Sequence, residues 1–470
     1  MVFASTVFMF LFLPAVWLIY SLIPQRYLHV KNAILAVASL VFYAYGEPVY
    51  IFLICVSVLV NYLAALALEA KKVSERGKRL ITVLCVAADL GVLIFFKYIP
   101  WLVSMVNGAF AWSIPVPNVK MPIGISFYTF QILSYVIDVR RGKTAAQRNF
   151  IYLFLYISFF PQFIAGPIVK YIDIQEQIVS RDITVEKTAR GIRRFIYGLS
   201  KKVLVSNAAA LIADAAFGAA APSAAFAWAG AVSYCIQIYF DFSGYSDMAI
   251  GLALMFGFDI CENFNYPYAA VSIRDFWKRW HISLTSWFRE YVYFPLGGNR
   301  VSGRRTVLNR YIVFFLTGLW HGANFTYILW GLWHGTLMMF EKVIHMEKWV
   351  KKWYWKPVCH VYTLLAVCLG FVVFRAPSLG AAFTYIGRMF TPGGGVSDAL
   401  PFFSPYMLTL LCAAVIFSVP AVPYLRKRAV ALVGETVADT AGYVICIPAL
   451  AASVMTLASS SFNPFIYFIF

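Results

Sequence analysis

The sequence is poor in charged residues, which bounds the class of protein it can encode. Only 13% of its 470 residues are Asp, Glu, Lys or Arg, and 61% are hydrophobic. A soluble globular domain carries about 25% charged and about 45–50% apolar residues. A soluble enzyme of this length would therefore lack the polar residues needed to cover its surface. The composition excludes that class and predicts an all-α, polytopic membrane protein.

Several chemical signatures are also missing. The eight cysteines are scattered without a C-x-x-C, so we expect neither a disulfide framework nor a metal site. Without a G-x-S-x-G elbow, no serine nucleophile is predicted. The net charge of +18 comes without zinc-finger spacing or a basic helix, so we attribute it to positive-inside bias and lipid contact rather than to nucleic acid. With no repeat, linker or low-complexity stretch, we predict one domain, residues 1–470.

What the chain does contain is a series of apolar runs. They lie near residues 2–23, 32–46, 49–69, 80–98, 122–138, 150–169, 203–221, 224–241, 311–330, 331–345, 358–374, 405–423 and 441–459. Some are short or interrupted by Gly and Pro, so we expect about 10–12 spans plus re-entrant and interfacial helices. The first run lacks a basic n-region and is too long for a signal peptide, so we interpret it as a retained span.

The distribution of Lys and Arg predicts an orientation. The short loops near 71–79 and 140–148 are basic, the intervening loop near 99–121 has a single lysine, and Arg26 and Lys31 follow the first span. Basic loops face the cytoplasm by the positive-inside rule. We therefore expect the N-terminus outside.

Residues 262–310 break the pattern of spans because they combine eight Lys/Arg with many aromatic residues. Phe276, Trp280, Ser283 and Trp287 share one face at helical spacing, which predicts a helix over about 272–292. Such a helix is typical of the cytoplasmic membrane interface. His281 lies on it.

Two copies of one tripeptide follow, Trp320-His321-Gly322 and Trp333-His334-Gly335. A histidine within a span is a candidate functional residue, and its structural alternative is a hydrogen bond to a neighbouring helix. Thirteen residues separate the two rings, about 220° on a continuous helix. Both rings reach one site only if Gly322-Ala323-Asn324 breaks the helix, as we expect.

Two further stretches carry polar or breaking residues. FDFSGYSDMAIG places Asp241 and Asp247 in apolar surroundings. They would bind a cation, hold a histidine tautomer, or cap a helix beginning near Ser246; we favour capping and structural pairing. FFPQFIAGPIVKY, with two Pro and one Gly, predicts a broken or re-entrant helix lining a cavity.

Taken in order, these stretches resemble the membrane-bound O-acyltransferase (MBOAT) family, in the branch of the alginate O-acetyltransferase membrane protein. The matching segments are MVFASTVFMFLFLP, PIGISFYTFQILSYVIDVRRG, FFPQFIAGPIVK, IYFDFSGYSDMAIG, ENFNYPY, FWKRWHISLTSWFREYVYFPLGGNR and GLWHGANFTYILWGLWHG. They cover most of residues 1–345. The resemblance implies an MBOAT-type helical bundle around a central cavity. It also implies an enzyme that moves an acyl group, expected to be acetyl, from a cytoplasmic thioester toward hydroxyls of an extracytoplasmic polysaccharide.

The same resemblance assigns roles to the histidines. The essential histidine of the family's LWHG motif maps onto His321, and a second family histidine maps onto His281. Acyl transfer to a hydroxyl needs a base, and histidine suits that task. We predict His321 as the base and His281 as the residue that orients either the donor carbonyl or the acceptor. A thioester is already activated, so a covalent acyl-enzyme is unnecessary.

Further residues are expected around this pair. Supporting or cavity-lining roles are predicted for Asp241, Asp247, Asn324, His334 and Trp320. Three basic residues are predicted to bind the phosphates of coenzyme A or an acidic acyl carrier protein: Lys278, Arg279 and Arg289. The alternative is that they contact lipid headgroups. We expect no metal and no permanently bound cofactor, with acetyl-CoA or an acyl carrier protein as donor substrate.

Because no segment is large enough to work on a polymer unaided, the resemblance implies a partner, an extracytoplasmic acetyltransferase of the SGNH type. Within the family the alternative is D-alanyl transfer from a carrier protein to teichoic acid, which shares the histidines. A transporter or flippase is a different class, but no repeated pair of interrupted spans supports it. A haem- or metal-binding redox protein is a third class and would use His281, His321 and His334 as ligands. No pair of these histidines has ligand spacing such as H-x-x-x-H, which argues against that class.

Overall fold

The computed structural model describes residues 1–393, 395–459 and Ile466. Throughout those residues the regular structure is helical, with short π-helical and 3₁₀ turns and no strand. The predicted all-α fold is confirmed. The chain separates into two compact units, residues 1–195 with 248–261, and residues 196–247 with 262–470. Two helices run uninterrupted through these boundaries, so the sequence contains no linker at which to place a division.

The first unit is built from helices with apolar faces. Its helices are α1 Leu13–Leu22, α2 Leu28–Ala44, α3 Ile51–Glu69, α4 Glu75–Phe110, α5 Ile125–Arg140, α6 Phe150–Ser158, α7 Phe160–Phe163, α8 Tyr171–Val179 and most of α9 Val185–Ser200. Phenylalanine rings fill its core; the ring of Phe160 packs edge-on to Phe12 at 5.4 Å. The predicted break in FFPQFIAGPIVKY is confirmed, because α6 ends at Ser158, α7 lasts four residues, and α8 begins only at Tyr171.

The second unit holds the histidines and the C-terminal helices. Its helices are α10 Asn207–Gly218, most of α11 Ala224–Met255, α12 Ile273–Arg279, α13 Ile282–Phe288, α14 Gly303–His321, α15 Phe325–Val343, α16 Met346–Trp349, α17 Lys356–Arg375, α18 Leu379–Phe390, α19 Pro405–Phe417, α20 Ala421–Val433 and α21 Glu435–Ser459.

Six of the described helices are long and apolar enough to cross a membrane, and a seventh span is possible if α19 and α20, bent by 75°, count as one. The predicted count of about 10–12 is larger because several apolar runs form shorter helices. The run near 122–138 forms the 16-residue α5, and the run near 150–169 contains the break between α6 and α7.

Two local predictions were wrong. Ser246 lies inside the continuous 32-residue α11, so Asp241 and Asp247 cap no helix there. The predicted helix 272–292 is two short helices, α12 and α13, separated at Trp280 and His281. The cause is long-range: the Asn265 N–H donates to the Arg279 carbonyl at 2.9 Å, and the Ile282 N–H donates to the Asn263 carbonyl at 2.9 Å. Periodicity along one segment cannot reveal pairing with another.

Candidate functional site

The approach of α14 to α15 positions His321. Gly318 on α14 and Gly331 on α15 lie where the two backbones nearly touch. A Cβ atom at Gly318 would be 2.3 Å from the Tyr327 carbonyl oxygen, and one at Gly331 would be 2.2 Å from that of Phe314. Small residues permit such close packing between membrane helices. His321 follows Gly318 by three residues and is therefore held against α15.

The chain turns directly after His321. Helix α14 ends at His321, and Gly322 adopts an extended conformation. The Asn324 side-chain oxygen accepts the Thr326 N–H at 3.1 Å and so caps α15, while its amide donates to the Pro377 carbonyl at 2.9 Å. The predicted break at Gly322–Asn324 is confirmed. Asn324 contributes to the site by fixing this turn.

Aromatic rings enclose the His321 imidazole, which is 4% exposed. The rings of Trp330 and Phe374 pack edge-on to it, with centroids 5.1 and 5.2 Å away. Trp320, its neighbour in the chain, lies 5.0 Å away and is itself buried. These surroundings exclude bulk water from one side of the ring and leave it in a medium of low dielectric constant.

His281 is fully buried at the junction of α12 and α13. Its backbone adopts the left-handed region with φ of 44°, which is uncommon for a residue other than glycine. The ring packs edge-on to Phe242 at 4.7 Å and lies 5.8 Å from Trp320. The Nδ1 atom lies 3.1 Å from the Asn263 side-chain oxygen.

The structure brings the two predicted catalytic histidines together. The ring centroids of His281 and His321 are 6.5 Å apart, both inside the second unit. Two imidazoles at this distance can both contact one bound acyl group and its acceptor. Burial lowers the pKa of the His281 imidazole to about 3, so this ring is neutral at physiological pH and acts as a hydrogen-bonding group rather than a cation.

His334 on α15 is fully buried and contacts Trp330, the same ring that packs against His321. Its ring stacks on Phe276 at 5.9 Å and packs edge-on to Trp277 at 5.4 Å and against Trp330 at 5.2 Å. Among the described residues, neither of its ring nitrogens has a hydrogen-bond partner, and the same holds for the indole N–H groups of Trp277 and Trp330. Buried polar atoms of this kind each cost about 1–3 kcal/mol unless something pairs with them. We refer to His281, Trp320, His321, Trp330 and His334 as the histidine–tryptophan cluster.

The two aspartates have other partners. Asp241 forms an ion pair with Lys202 at 2.7 Å, and both side chains are almost fully buried. Asp247 pairs with Lys201 at 2.5 Å. The predicted structural pairing fits these contacts, and the His281 ring is hydrogen-bonded to Asn263 instead.

The three basic residues predicted to bind the donor lie at the surface of the segment that carries His281. Lys278 and Arg289 are exposed. Arg279 is half-buried and pairs with Asp275 at 3.0 Å. Lys278 and Arg289 therefore remain available to an anionic ligand, while Arg279 chiefly stabilises α12.

Sequence reasoning missed Asn263, Ser246 and the two indoles of Trp277 and Trp330. Asn263 lies inside the ENFNYPY segment, but nothing in its spacing indicates a contact with a ring 18 residues away. The sequence contains 13 tryptophans, but their number does not show which indoles pack against a histidine.

Comparison with known proteins identifies the family. The model of the membrane-bound O-acyltransferase family matches residues 79–380, a range that contains the whole histidine–tryptophan cluster. The chain belongs to this family.

Individual relatives are similar over most of their length. A protein named "Probable alginate O-acetylase AlgI" from Azotobacter vinelandii is 39% identical, with all of both chains covered. A peptidoglycan O-acetyltransferase of Helicobacter pylori is 34% identical over 83% of this chain and 80% of the relative. A teichoic acid D-alanyltransferase of Bacillus subtilis is more distant, at 31% identity over 55% of this chain and 70% of the relative.

The family and the O-acetylating relatives together define the enzyme class. The protein is a multi-pass membrane O-acetyltransferase.

Proposed function

We propose that this enzyme moves an acetyl group from a cytoplasmic thioester, across the membrane, toward hydroxyls of an extracytoplasmic polysaccharide. The observation that carries the proposal is the 6.5 Å separation of the His281 and His321 rings in a buried aromatic cluster. The relatives named for alginate and peptidoglycan acetylation support a polysaccharide as the final acceptor.

In the proposed chemistry the acetyl group passes from the thioester to the acceptor hydroxyl without a covalent acyl-enzyme. His321 takes the proton of the acceptor hydroxyl as its oxygen bonds to the thioester carbonyl carbon. The carbon–sulfur bond then breaks, and the proton passes to the departing thiolate, so an ester and a thiol are formed without net proton uptake. A positioned base of this kind contributes roughly 10²–10⁴-fold to the rate. His281 orients the reacting groups.

The donor is acetyl-CoA or an acetylated acyl carrier protein. Lys278 and Arg289 are exposed on the segment that carries His281 and would contact the phosphates of coenzyme A or the carboxylates of an acidic carrier protein. In this proposal the enzyme lies in the bacterial inner or plasma membrane with its N-terminus outside, which places the basic loops on the donor side. An SGNH-type acetyltransferase outside completes the transfer to the polymer.

D-alanyl transfer to teichoic acid is the second candidate, and the Bacillus subtilis relative is the observation that favours it. Its match covers less of the chain than those of the O-acetylating relatives. Analysis of wall polymers in a deletion strain distinguishes the two: loss of ester-linked acetate supports our proposal, and loss of ester-linked D-alanine supports the alternative.

The test of function is polymer acetylation in cells that carry His321→Ala, His281→Ala or His345→Ala. His345 is an exposed histidine that pairs with Glu347, so its replacement is a matched control. We expect His321→Ala to abolish acetylation, His281→Ala to reduce it strongly and His345→Ala to retain it, all at equal membrane levels. Full acetylation by His321→Ala would contradict the assignment of the base.

A further inference from the structure

We propose that Asn263 is a positioning residue that fixes His281 in the Nδ1–H tautomer, so that the Nε2 lone pair is presented to the reacting groups. The catalytic part of this inference rests on the proposed acetyl transfer. The structural part does not, because it follows from hydrogen bonds within the protein.

The orientation of the Asn263 amide is determined by its neighbours. The Ser283 backbone N–H, which can only donate, points at the Asn263 Oδ1 atom at 3.3 Å. The Ser283 hydroxyl donates to the same oxygen at 2.9 Å. On its other side, the Asn263 Nδ2 atom donates to the Ser246 hydroxyl at 3.2 Å. An amide turned the other way would place N–H groups against a backbone N–H, so Oδ1 must face His281.

The tautomer of His281 follows from that orientation. Oδ1 is an acceptor and lies 3.1 Å from His281 Nδ1, so the ring must donate through Nδ1. A neutral imidazole carries one ring proton, and Nε2 is then an unprotonated acceptor. Among the described residues, this buried Nε2 atom has no hydrogen-bond partner.

This assignment decides between the two roles that the sequence left open for His281. A donor carbonyl oxygen needs an N–H, which Nε2 does not carry. A hydroxyl group can donate its proton to the Nε2 lone pair. We therefore infer that His281 binds the acceptor hydroxyl through its proton and aligns it before attack. Because the hydroxyl carries a single proton, that proton turns from His281 to His321 as the oxygen attacks.

The backbone around the ring strengthens the constraint. The left-handed conformation of His281 is maintained by the Ile282 N–H bond to the Asn263 carbonyl. This bond does not involve the Asn263 side chain, so a side-chain substitution leaves it intact. Phe242 packs against the ring from α11 and limits its rotation.

The ionisable groups on the neighbouring elements define the pH behaviour. His321 faces His281 from α14. The carboxylates on α11, Asp241 and Asp247, are ion-paired with lysines, and Lys278 and Arg279 belong to α12. Burial is the cause of the low pKa of His281, so the native ring stays neutral across the working pH range.

The test compares Asn263→Asp, Asn263→Ala and Asn265→Ala by thiol release from acetyl-CoA in inverted membrane vesicles across pH. We expect Asn263→Ala to lower kcat roughly 10–100-fold at every pH, the loss typical when a partner that orients a metal-ligating histidine is removed. Asn263→Asp places a carboxylate against the His281 ring. This carboxylate stabilises the imidazolium and so raises the pKa of His281. His281 then loses its lone pair at neutral pH, and activity recovers as pH rises through the new pKa. Asn265→Ala is the matched control, because the Asn265 side chain is exposed and its backbone N–H bond to the Arg279 carbonyl is unaffected, so that variant should keep its activity.

A wild-type pH profile in Asn263→Asp, or wild-type kcat in Asn263→Ala, would overturn the proposal. Should Asn263→Ala fail to accumulate, the isosteric Asn263→Asp and its pH profile decide.

A spectroscopic measurement separates this inference from the proposed function. In purified enzyme labelled with ¹⁵N-histidine, the signals lost in His281→Gln identify His281. We expect them to show a protonated Nδ1 and an unprotonated Nε2 at pH 7, and to change in Asn263→Ala. A protonated Nε2 would refute the tautomer even in an active enzyme. If wild-type vesicles release no thiol from acetyl-CoA, that donor is excluded, and the spectrum still tests the tautomer.

Discussion

At the scale of single residues, the buried ion pair between Lys202 and Asp241 is the clearest case in which two side chains depend on each other. Their side chains are 3% and 1% exposed and 2.7 Å apart. Lys202 also donates to Asn207 at 3.0 Å. Breaking a buried pair leaves one charge without compensation, which costs far more than the net contribution of the intact pair.

We therefore expect Lys202→Met to destabilise the protein by about 3–5 kcal/mol, because Asp241 would keep a buried charge. The double variant Lys202→Met/Asp241→Asn should recover most of the loss, since neither charge remains. Thermal unfolding of the detergent-purified variants measures both effects.

Lys201→Met is the matched control, because Lys201 and Asp247 are considerably more exposed, at 32% and 18%. A smaller destabilisation is expected there. Equal losses in Lys201→Met and Lys202→Met would show that burial does not govern the cost.

At the scale of elements, the contact between α14 and α15 determines where His321 and His334 lie. Gly318 and Gly331 allow the two backbones to approach, and a Cβ atom at either position would overlap a carbonyl oxygen of the opposite helix. The histidines follow these glycines by three residues on each helix. A change in helix separation would thus move both rings.

We expect Gly318→Ala to lower acetyl transfer roughly 10²-fold, the loss that a displacement of about 1 Å produces in a reacting geometry. The variant should still insert into the membrane, because alanine is more hydrophobic than glycine. Polymer acetylation normalised to membrane level measures the effect.

Gly387→Ala provides the control, since Gly387 lies within α18 with nothing within 4 Å of an added Cβ. Alanine is a better helix former than glycine, so that variant should be fully active. An active Gly318→Ala would mean that the close helix contact does not position His321.

Some helix ends could be predicted from the local sequence and others could not. The break between α14 and α15 was predictable because Gly322-Ala323-Asn324 supplies a flexible residue and a capping residue in succession. The break at His281 was not, because it depends on hydrogen bonds to Asn263 and Asn265, which are remote in the chain. The continuity of α11 through Ser246 was also missed, because polar residues inside a buried helix can pair with neighbouring helices and need not cap it.

At the scale of the whole molecule, composition and the order of the motifs were sufficient to predict the class of protein. The family model covers the cluster, and the all-α architecture follows from the need to satisfy every backbone group inside the bilayer. The division into two compact units was not predictable, because its boundaries fall inside helices α9 and α11 and at residue 261. The predicted central cavity stays a prediction.

The central claim is that His281 and His321 act on one bound acetyl group and its acceptor. The most direct measurement is the rate of acetyl transfer from acetyl-CoA in vesicles that contain His281→Gln, His321→Gln or both. Residues that work as a unit show strongly non-additive losses. We expect the double variant to be about as slow as the slower single variant. Losses that multiply, or a single variant with the wild-type rate, would contradict the account.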